Sequence, residues 1–435
     1  MSNRTNVLLI AIDTLRADHM SCYGYRKKTT PYMDELAKEG VLFRTCIAPG
    51  IPTHPGYTTI MTGLHPLTHE IVCHTGKVVL SPTIKTLSQI LYSQGYVTVA
   101  VDNLAPSAPW FIRGYEYYFY SGGITVLSKG IKVTGKVITD KALTFLKMWK
   151  QGMFGNKPFF LFVHYWDPHT PYLPPPELIR KFYEGKEVPL KPLLEQTKWG
   201  RHILKHWLHK LIERGHDDKN YVDASYDAEI YYADINVSKL IEFLKEIDEY
   251  DNTLIVITSD HGEGLGENKV YYDHHGLYEW DIRVPLIMKL ANKLPEGVEV
   301  NGIVTHEDIA PTILSLIGVE LKYPFDGRPL LSLIDGYGQA KEFVVCVENT
   351  RMTKRAIRTE RWKLIQTLRP DIYGNPAGYI ELYDLKVGEH ENLASEAPDL
   401  VKDLLFTMEV WYRANLKERT DPLIVQNISL PLKDN

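Results

Sequence analysis

The sequence predicts an α/β fold, a doubly wound and mostly parallel sheet flanked by helices, followed by a smaller C-terminal α+β unit. Three observations carry that expectation. Short, continuously apolar runs alternate with segments of helical periodicity over most of the 435 residues, and strands buried on both faces of a parallel sheet have that texture. Most of these runs lead into acidic or histidine side chains. Beyond about residue 330 the pattern changes to short strands joined by turns.

In chain order, Val7–Ile12 is the first expected strand and runs into Asp13. Thr30–Glu39 has helical spacing. Pro49–Gly63 reads as a loop turning into a helix, with Thr53 at the N-cap, Pro55 in the first turn and Gly63 as the stop. The Thr53 hydroxyl then sits at the positive end of a helix dipole, among N–H groups that favour an anion; ordinary capping is the alternative. Ser81–Ser93 is the next helix, and Tyr96–Val101 a strand running into Asp102. Thr134–Lys150 is helical, and Phe159–Tyr165 is a strand leading to Asp167 and His169. Asp223–Ile247 is a helix, and Leu254–Thr258 a strand leading to Asp260 and His261. Pro285–Lys289 is a further buried parallel strand, and Glu307–Ile317 a helix.

In open α/β sheets the ligand crevice lies beyond the carboxyl ends of the strands. Asp13, Asp102, Asp167, His169, Asp260 and His261 can therefore converge although they are far apart in sequence. An acidic residue after a strand also serves turns and caps, but a repeated set of Asp and His points to a metal site.

Two long irregular stretches, 105–135 and 171–222, have the size of covers over a site. Within the second, on a helical wheel with His202 at zero, His206 falls at about 40° and His209 at about −20°, opposite Ile203, Leu204, Trp207, Leu208 and Leu211. A solvated polar face is the simpler reading of these histidines, and a metal-binding pair at i, i+4 the alternative. The C-terminal strands are expected within 342–349, 354–367 and 378–386, closed by a helix over Pro398–Leu416. The expected division is 1–335 for the larger unit and 340–435 for the smaller.

Composition narrows the function classes. With 44% hydrophobic residues the chain carries ample material for a core, and a net charge of −5 is too mild to make nucleic acid or an anionic membrane the main partner. The four cysteines, Cys22, Cys46, Cys73 and Cys346, form no C-x-x-C pair, so neither a disulfide framework nor a Cys zinc site is expected. At the N-terminus six apolar residues precede Asp13, too few for a signal peptide, and no apolar run approaches membrane-spanning length. A cytoplasmic protein without a membrane partner is the expectation; the oligomeric state stays open.

An ordered set of motifs carries a resemblance. NVLLIAIDTLRAD, PxxDxLAxEGVxF, a loop-helix ending in TGLHP, HYWDPHTPY, TSDHGEGLGE and HHGLYEWDIRVPLI together resemble the sulfatase branch of the alkaline phosphatase superfamily, and RTERWKLI…ELYDLKVGEHENLA resembles that family's C-terminal domain. The resemblance implies a sulfatase-like catalytic domain and a metal site at Asp13, Thr53, Asp260 and His261, with Thr53 also at the nucleophile position. It gives His169 contact with the transferring group or its leaving oxygen. His275 falls where many sulfatases carry a Lys that binds the same oxygens. A second metal held by Asp167, His169 and His275 is an alternative, and His164 and His274 are secondary candidates as ligands or orienting residues.

Two departures from the family matter. Its nucleophile lies in C/S-x-P-x-R and becomes formylglycine, whereas this chain reads Thr53-His54-Pro55-Gly56-Tyr57; no formylglycine is expected, and the supporting Arg is Tyr57. Thr14 replaces a common second Asp, and VDNLAPS replaces a GKWHLG-like segment. With an imidazole among the ligands, Mn²⁺ or Zn²⁺ is favoured, with Mg²⁺ or Ca²⁺ as alternatives. A threonine nucleophile occurs in phosphodiesterase-type relatives of the superfamily, so the first expectation is a metal-dependent hydrolase of phosphate or phosphonate esters, chiefly diesters. The alternatives are a sulfuric ester hydrolase without formylglycine and an anion- or glycan-binding pseudoenzyme. The expected partner in either enzyme reading is a small-molecule ester.

Overall fold

A computed structural model describes residues 4–122, 134–213 and 216–426. The expected cover at 105–135 therefore lies partly outside the described residues. In chain order the strands are β1 (Asn6–Ile12), β2 (Val41–Ile47), β3 (Gly50–Ile51), β4 (Val97–Asp102), β5 (Tyr117–Tyr120), β6 (Phe159–Tyr165) and β7 (Thr253–Thr258). They continue as β8 (Arg283–Val284), β9 (Leu286–Lys289), β10 (Val298–Thr305), β11 (Phe343–Glu348), β12 (Lys354–Thr359), β13 (Trp362–Thr367) and β14 (Ile380–Asp384).

Among the described residues the larger sheet runs β10-β2-β9-β7-β1-β6-β4-β5, with β8 paired to β2. Its centre is parallel: β1 lies between β6 and β7, and β4 continues beyond β6. Alternate residues of β1 feed two cores, as a doubly wound sheet requires. Val7, Leu9 and Ala11 join a cluster with Tyr57, Ile60 and Ile313, while Leu8, Ile10 and Ile12 join Phe145, Trp199, Tyr226 and Leu240. Helices Pro31–Lys38, Gly135–Lys150, Lys219–Glu246 and Ile309–Leu316 fall within the segments whose periodicity marked them or within a turn of them. The helix expected from Ser81 begins only at Leu87, because Thr86 and Gln89 form a reciprocal capping box that sets its start.

One strand differs in direction from the expectation. β9 is antiparallel to both β7 and β2. The β7-to-β9 connection contains the one-turn 3₁₀ helix Glu267–Lys269, the short helix Glu279–Ile282 and β8, and no crossover returns the chain to the opposite edge. The chain therefore re-enters the sheet from the end where β7 left it, and must run back.

The second sheet, β14-β13-β12-β11-β3, is an antiparallel meander closed by the Pro398–Leu416 helix, which buries Leu404, Met408 and Tyr412 against it. Its last member, β3, comes from residues 50–51 and pairs in parallel with β11. The smaller sheet thus reaches across the expected division and grips the chain just before Thr53.

A buried ion-pair network ties the same sheet to the 273–281 loop. Lys363, fully buried, has its Nζ 2.8 Å from Glu389 and 3.3 Å from Glu279, and Arg358 reaches Glu279 at 3.1 Å. Burial raises the pKa of Glu279, but Lys363 and Arg358 outweigh it and hold the carboxyl at about 2. Removing one partner of such a network strands the others in a dry interior. Lys363→Met is expected to cost about 3–5 kcal/mol of unfolding free energy; a loss below about 1 kcal/mol in urea titrations would show that water reaches the network.

Candidate active site

The Thr53–Thr62 helix starts one residue earlier than its sequence suggests. The Gly56 N–H donates to the Pro52 carbonyl, so Pro52 occupies the N-cap position and Thr53 is the first helical residue. No cap hydrogen bond engages the side chain of the N-cap residue. The Thr53 hydroxyl instead lies 3.3 Å from His261 Nε2. Gly63 ends the helix in the left-handed region, as expected. The helix packs directly on the neighbouring strand end: a Cβ at Gly56 would stand 2.8 Å from the Asp260 carbonyl oxygen, a contact that only glycine avoids.

Parallel register brings the first ligands together. Ala11 pairs with His164 on one side and with Thr258 on the other, so Asp13 and Asp260 leave adjacent strand ends. Thr14 adopts a positive φ of 57°, and its N–H reaches Asp260 Oδ1 at 3.4 Å. Asp13, Asp260 and His261 are fully buried, and one ligand atom from each lies within 4.8 Å of the others. His261 Nδ1 donates to the Gly262 carbonyl at 2.8 Å, which leaves Nε2 facing the carboxylates.

Whether this set fits a divalent cation can be judged from its unmet demands. Asp13 Oδ1 and Asp260 Oδ2 are buried with His261 Nε2, at 3.8 and 3.2 Å, as the positive group that faces them both, a costly state for two carboxylates unless further positive charge meets them. Burial lowers the His261 pKa, but Asp260 and Asp13 outweigh it and raise it to about 10. The cluster thus demands positive charge at this point, and the residues fit a metal ion. His164 does not join the cluster; it braces it. Its Nδ1 lies 2.7 Å from Asp102 and its Nε2 3.3 Å from Asp13, whose carboxylate it orients. Tyr57 packs edge-on at 4.8 Å from the His164 ring.

The remaining candidates separate. The His169 Nδ1–H donates to the Thr170 carbonyl, and its ring lies 5.2 Å from that of His274. Burial keeps His169 neutral, with a pKa of about 4. The His274 ring lies 4.3 Å from that of His261, tilted by 38°, and burial and that neighbour push its pKa down to about 3. His275 points elsewhere, with its Nε2 2.8 Å from the Tyr373 hydroxyl. Of the two adjacent histidines, His274 is the one whose ring lies beside those of His169 and His261. The physical reason is the turn at Gly276, whose φ is 110° and whose N–H is held by Glu348, with the two histidines directed to different neighbours. Asp167 packs against Gly135, where a Cβ would stand 3.3 Å from its Oδ2. The alternative second site of Asp167, His169 and His275 is not assembled: among the described residues, Asp13, Asp260 and His261 are the group of three ligand side chains close enough to share one metal ion.

Three residues near the site are not among those the sequence marks. His54 lies with its ring 4.1 Å from His74. The His74 N–H donates to Thr350 Oγ1, which brings the β11–β12 loop alongside. From that loop Arg351 stands with its guanidinium 4.3 Å over Trp199 and its Nε 3.5 Å from Asp273. His54 sits in the nucleophile segment itself, but His74 and Arg351 lie outside any motif, and the docking of β11 on β3 brings them to this side of the molecule.

Comparison with known proteins agrees with this architecture. The sulfatase family model matches residues 5–319, and the model described as N-sulphoglucosamine sulphohydrolase, C-terminal, matches residues 266–404. N-acetylglucosamine-6-O-sulfatase of Bacteroides thetaiotaomicron is 25% identical over an alignment spanning 90% of this chain and 82% of its own. The multifunctional alkaline phosphatase superfamily protein PehA of Trinickia caryophylli is 27% identical over 76% of this chain and 77% of its own. Among solved structures, a protein in complex with its substrate D-glucosamine-2-N,6-O-disulfate superposes with a TM-score of 0.75 at 23% identity, covering 96% of this chain and 99% of its own. The phosphonate monoester hydrolase of Agrobacterium radiobacter superposes equally well, with a TM-score of 0.75 at 19% identity over 95% and 96% of the two chains. From the ordered motifs, the mixed sheet with its C-terminal meander and a family match over residues 5–319, the chain belongs to the sulfatase family and is a hydrolase of that family.

Proposed function

We propose that the protein is a metal-dependent hydrolase of small-molecule sulfuric esters that works without formylglycine, with Thr53 as nucleophile. The observation that carries this reading is the Thr53 hydroxyl lying 3.3 Å from His261 Nε2, beside the buried pair Asp13 and Asp260. The sulfatase likeness over 90% of the chain favours sulfate over the phosphodiester expectation drawn from Thr53 alone. Mn²⁺ or Zn²⁺ suits a site that contains an imidazole. When bound, the ion supplies positive charge that favours the Thr53 alkoxide and screens the oxygens of the transferred group.

Thr53 Oγ attacks sulfur in line, the bond from sulfur to the leaving oxygen breaks, and a sulfo-threonine forms. Neutral His169, whose Nδ1–H is held by Thr170, takes the Thr53 proton on its free Nε2 as Oγ attacks and passes it to the leaving oxygen, which departs as the alcohol. Neutral His169 then accepts a proton from the water that attacks sulfur, the sulfur–Oγ bond breaks, Thr53 Oγ takes that proton back from His169, and inorganic sulfate departs. His274, beside both His169 and His261, donates to a non-bridging oxygen.

A second reading, phosphonate or phosphate ester hydrolysis, is favoured by Thr53 itself, since an alcohol nucleophile suits phosphorus as well as sulfur. A panel of 4-nitrophenyl sulfate, 4-nitrophenyl phosphate, bis(4-nitrophenyl) phosphate and 4-nitrophenyl phenylphosphonate, assayed with EDTA and with added Mn²⁺ or Zn²⁺, separates the readings. The expected result is the highest kcat/KM on the sulfate ester and none in EDTA. A faster phosphorus ester would establish the second reading, and no metal-dependent turnover on any substrate would leave an anion- or glycan-binding pseudoenzyme.

A further inference from the structure

The helix Lys198–His206 spans part of the site's rim. Its Trp199 is 1% exposed and lies beneath Arg351, with the ring 5.9 Å from that of His275. Just beyond the helix, the Trp207 ring is 6.0 Å from that of His169. His202 stacks on Trp199 at 4.7 Å and 19°. One turn later His206 faces His202, with ring centroids 4.5 Å apart and planes 39° from parallel.

This arrangement is only in part the solvated histidine face that the helical wheel suggests. His206 is exposed, but His202 is half-buried. The helix ends at His206, and His209 begins a separate short helix, so the third histidine leaves the row. Among the described residues no hydrogen bond or ion pair engages the His202 or His206 ring. Burial, together with His206 and Arg351, lowers the His202 pKa and keeps that imidazole in its ligating, neutral form.

We propose that His202 and His206 form a second cation site, which chelates one borderline divalent ion (Zn²⁺, Ni²⁺ or Cu²⁺) through two imidazole nitrogens with water completing the shell. Spacing of i, i+4 on a continuous helix sets the two rings 4.5 Å apart, near enough for one nitrogen of each to be turned toward a shared ion. Trp199 fixes the His202 ring before any ion arrives, so chelation sacrifices little rotamer freedom there. The absence of carboxylates from the pair selects against Ca²⁺ and Mg²⁺, which take oxygen ligands. A bound ion would brace the helix that carries Trp199 over the site.

The test is metal titration of the full chain after dialysis against chelator. Zn²⁺ binding is followed by calorimetry, and Cu²⁺ binding by electron paramagnetic resonance, where two nitrogen couplings identify an imidazole pair. Two equivalents are expected for the unaltered chain and one each for His202→Ala and His206→Gln. His206 is exposed, so His206→Gln keeps the test valid if His202→Ala fails to fold. A single equivalent in the unaltered chain, or a second equivalent that survives in His206→Gln, would overturn the proposal.

Discussion

Thr53→Ala is expected to lower kcat by at least about 10³-fold on the best substrate while leaving metal content unchanged, because it deletes the attacking atom rather than a binding contact. Thr53→Ser should keep turnover within about tenfold, since a primary hydroxyl at the same first helical position meets the same His261 nitrogen. The comparison is clean because Thr53 does not cap its helix: the Pro52 carbonyl starts the hydrogen-bond ladder, and Gly63 ends it. Alanine therefore removes a hydroxyl without loosening the helix, and thermal melting of the variant should match that of the unaltered chain. Steady-state kinetics with parallel metal analysis checks both halves. A Thr53→Ala enzyme within tenfold of the unaltered kcat would mean that water attacks directly, and Thr53 would then be at most a contact to the ion. Trapped covalent sulfo-threonine would further separate nucleophile from ligand, since only a nucleophile leaves that adduct.

The parts of this molecule legible in its sequence are those in which one short segment carries its own explanation. β1, β4, β6 and β7 are continuous apolar runs because both of their faces are covered, and each announces itself by composition. Asp13, Asp260 and His261 were readable for the same reason: each immediately follows such a run, and parallel register does the rest. β10 was not readable. It lies at the edge of the sheet, exposes Glu299 and Asn301, and carries Gly302, so no apolar run marks it. β2 hides similarly, because Arg44 and Thr45 interrupt it where it is only partly buried.

The histidine pair after Asp273 shows a different limit. Motif likeness brings the segment to the site, but the choice between His274 and His275 depends on a positive φ at Gly276 and a hydrogen bond to Glu348, 72 residues away. No local pattern encodes that choice. His74 and Arg351 are further removed still, because their approach depends on Thr350 and on the pairing of β3 with β11. The N-cap expectation for Thr53 failed by one residue, which is within the ordinary uncertainty of helix ends. Here that residue separates a capping hydroxyl from one facing His261.

Asp260→Ala is expected to abolish tight Mn²⁺ binding and reduce turnover to the level seen in EDTA, and its effect on stability should depend on whether metal is present. In the metal-free chain, Asp13 Oδ1 and Asp260 Oδ2 are buried with His261 Nε2 as the positive group that faces them both, so deleting one carboxylate removes a desolvation cost together with an attraction to His261. The metal-free variant should therefore melt close to the metal-free parent. Added Mn²⁺ separates them. At a free concentration about one hundred times its dissociation constant, an ion that binds only the folded state stabilises it by about 2.7 kcal/mol, and a chain lacking a ligand forgoes that gain. Mn²⁺ is the right probe because it ranks below Zn²⁺ and Cu²⁺ for imidazole sites, which limits any contribution from His202 and His206. Differential scanning calorimetry of both proteins, with EDTA and with Mn²⁺, provides the four measurements required. If Asp260→Ala showed the parent's full metal-dependent rise in Tm, the ion would bind elsewhere in the chain, and the cluster of Asp13, Asp260 and His261 would have to be a structural charge network whose raised His261 pKa serves the fold instead of the reaction.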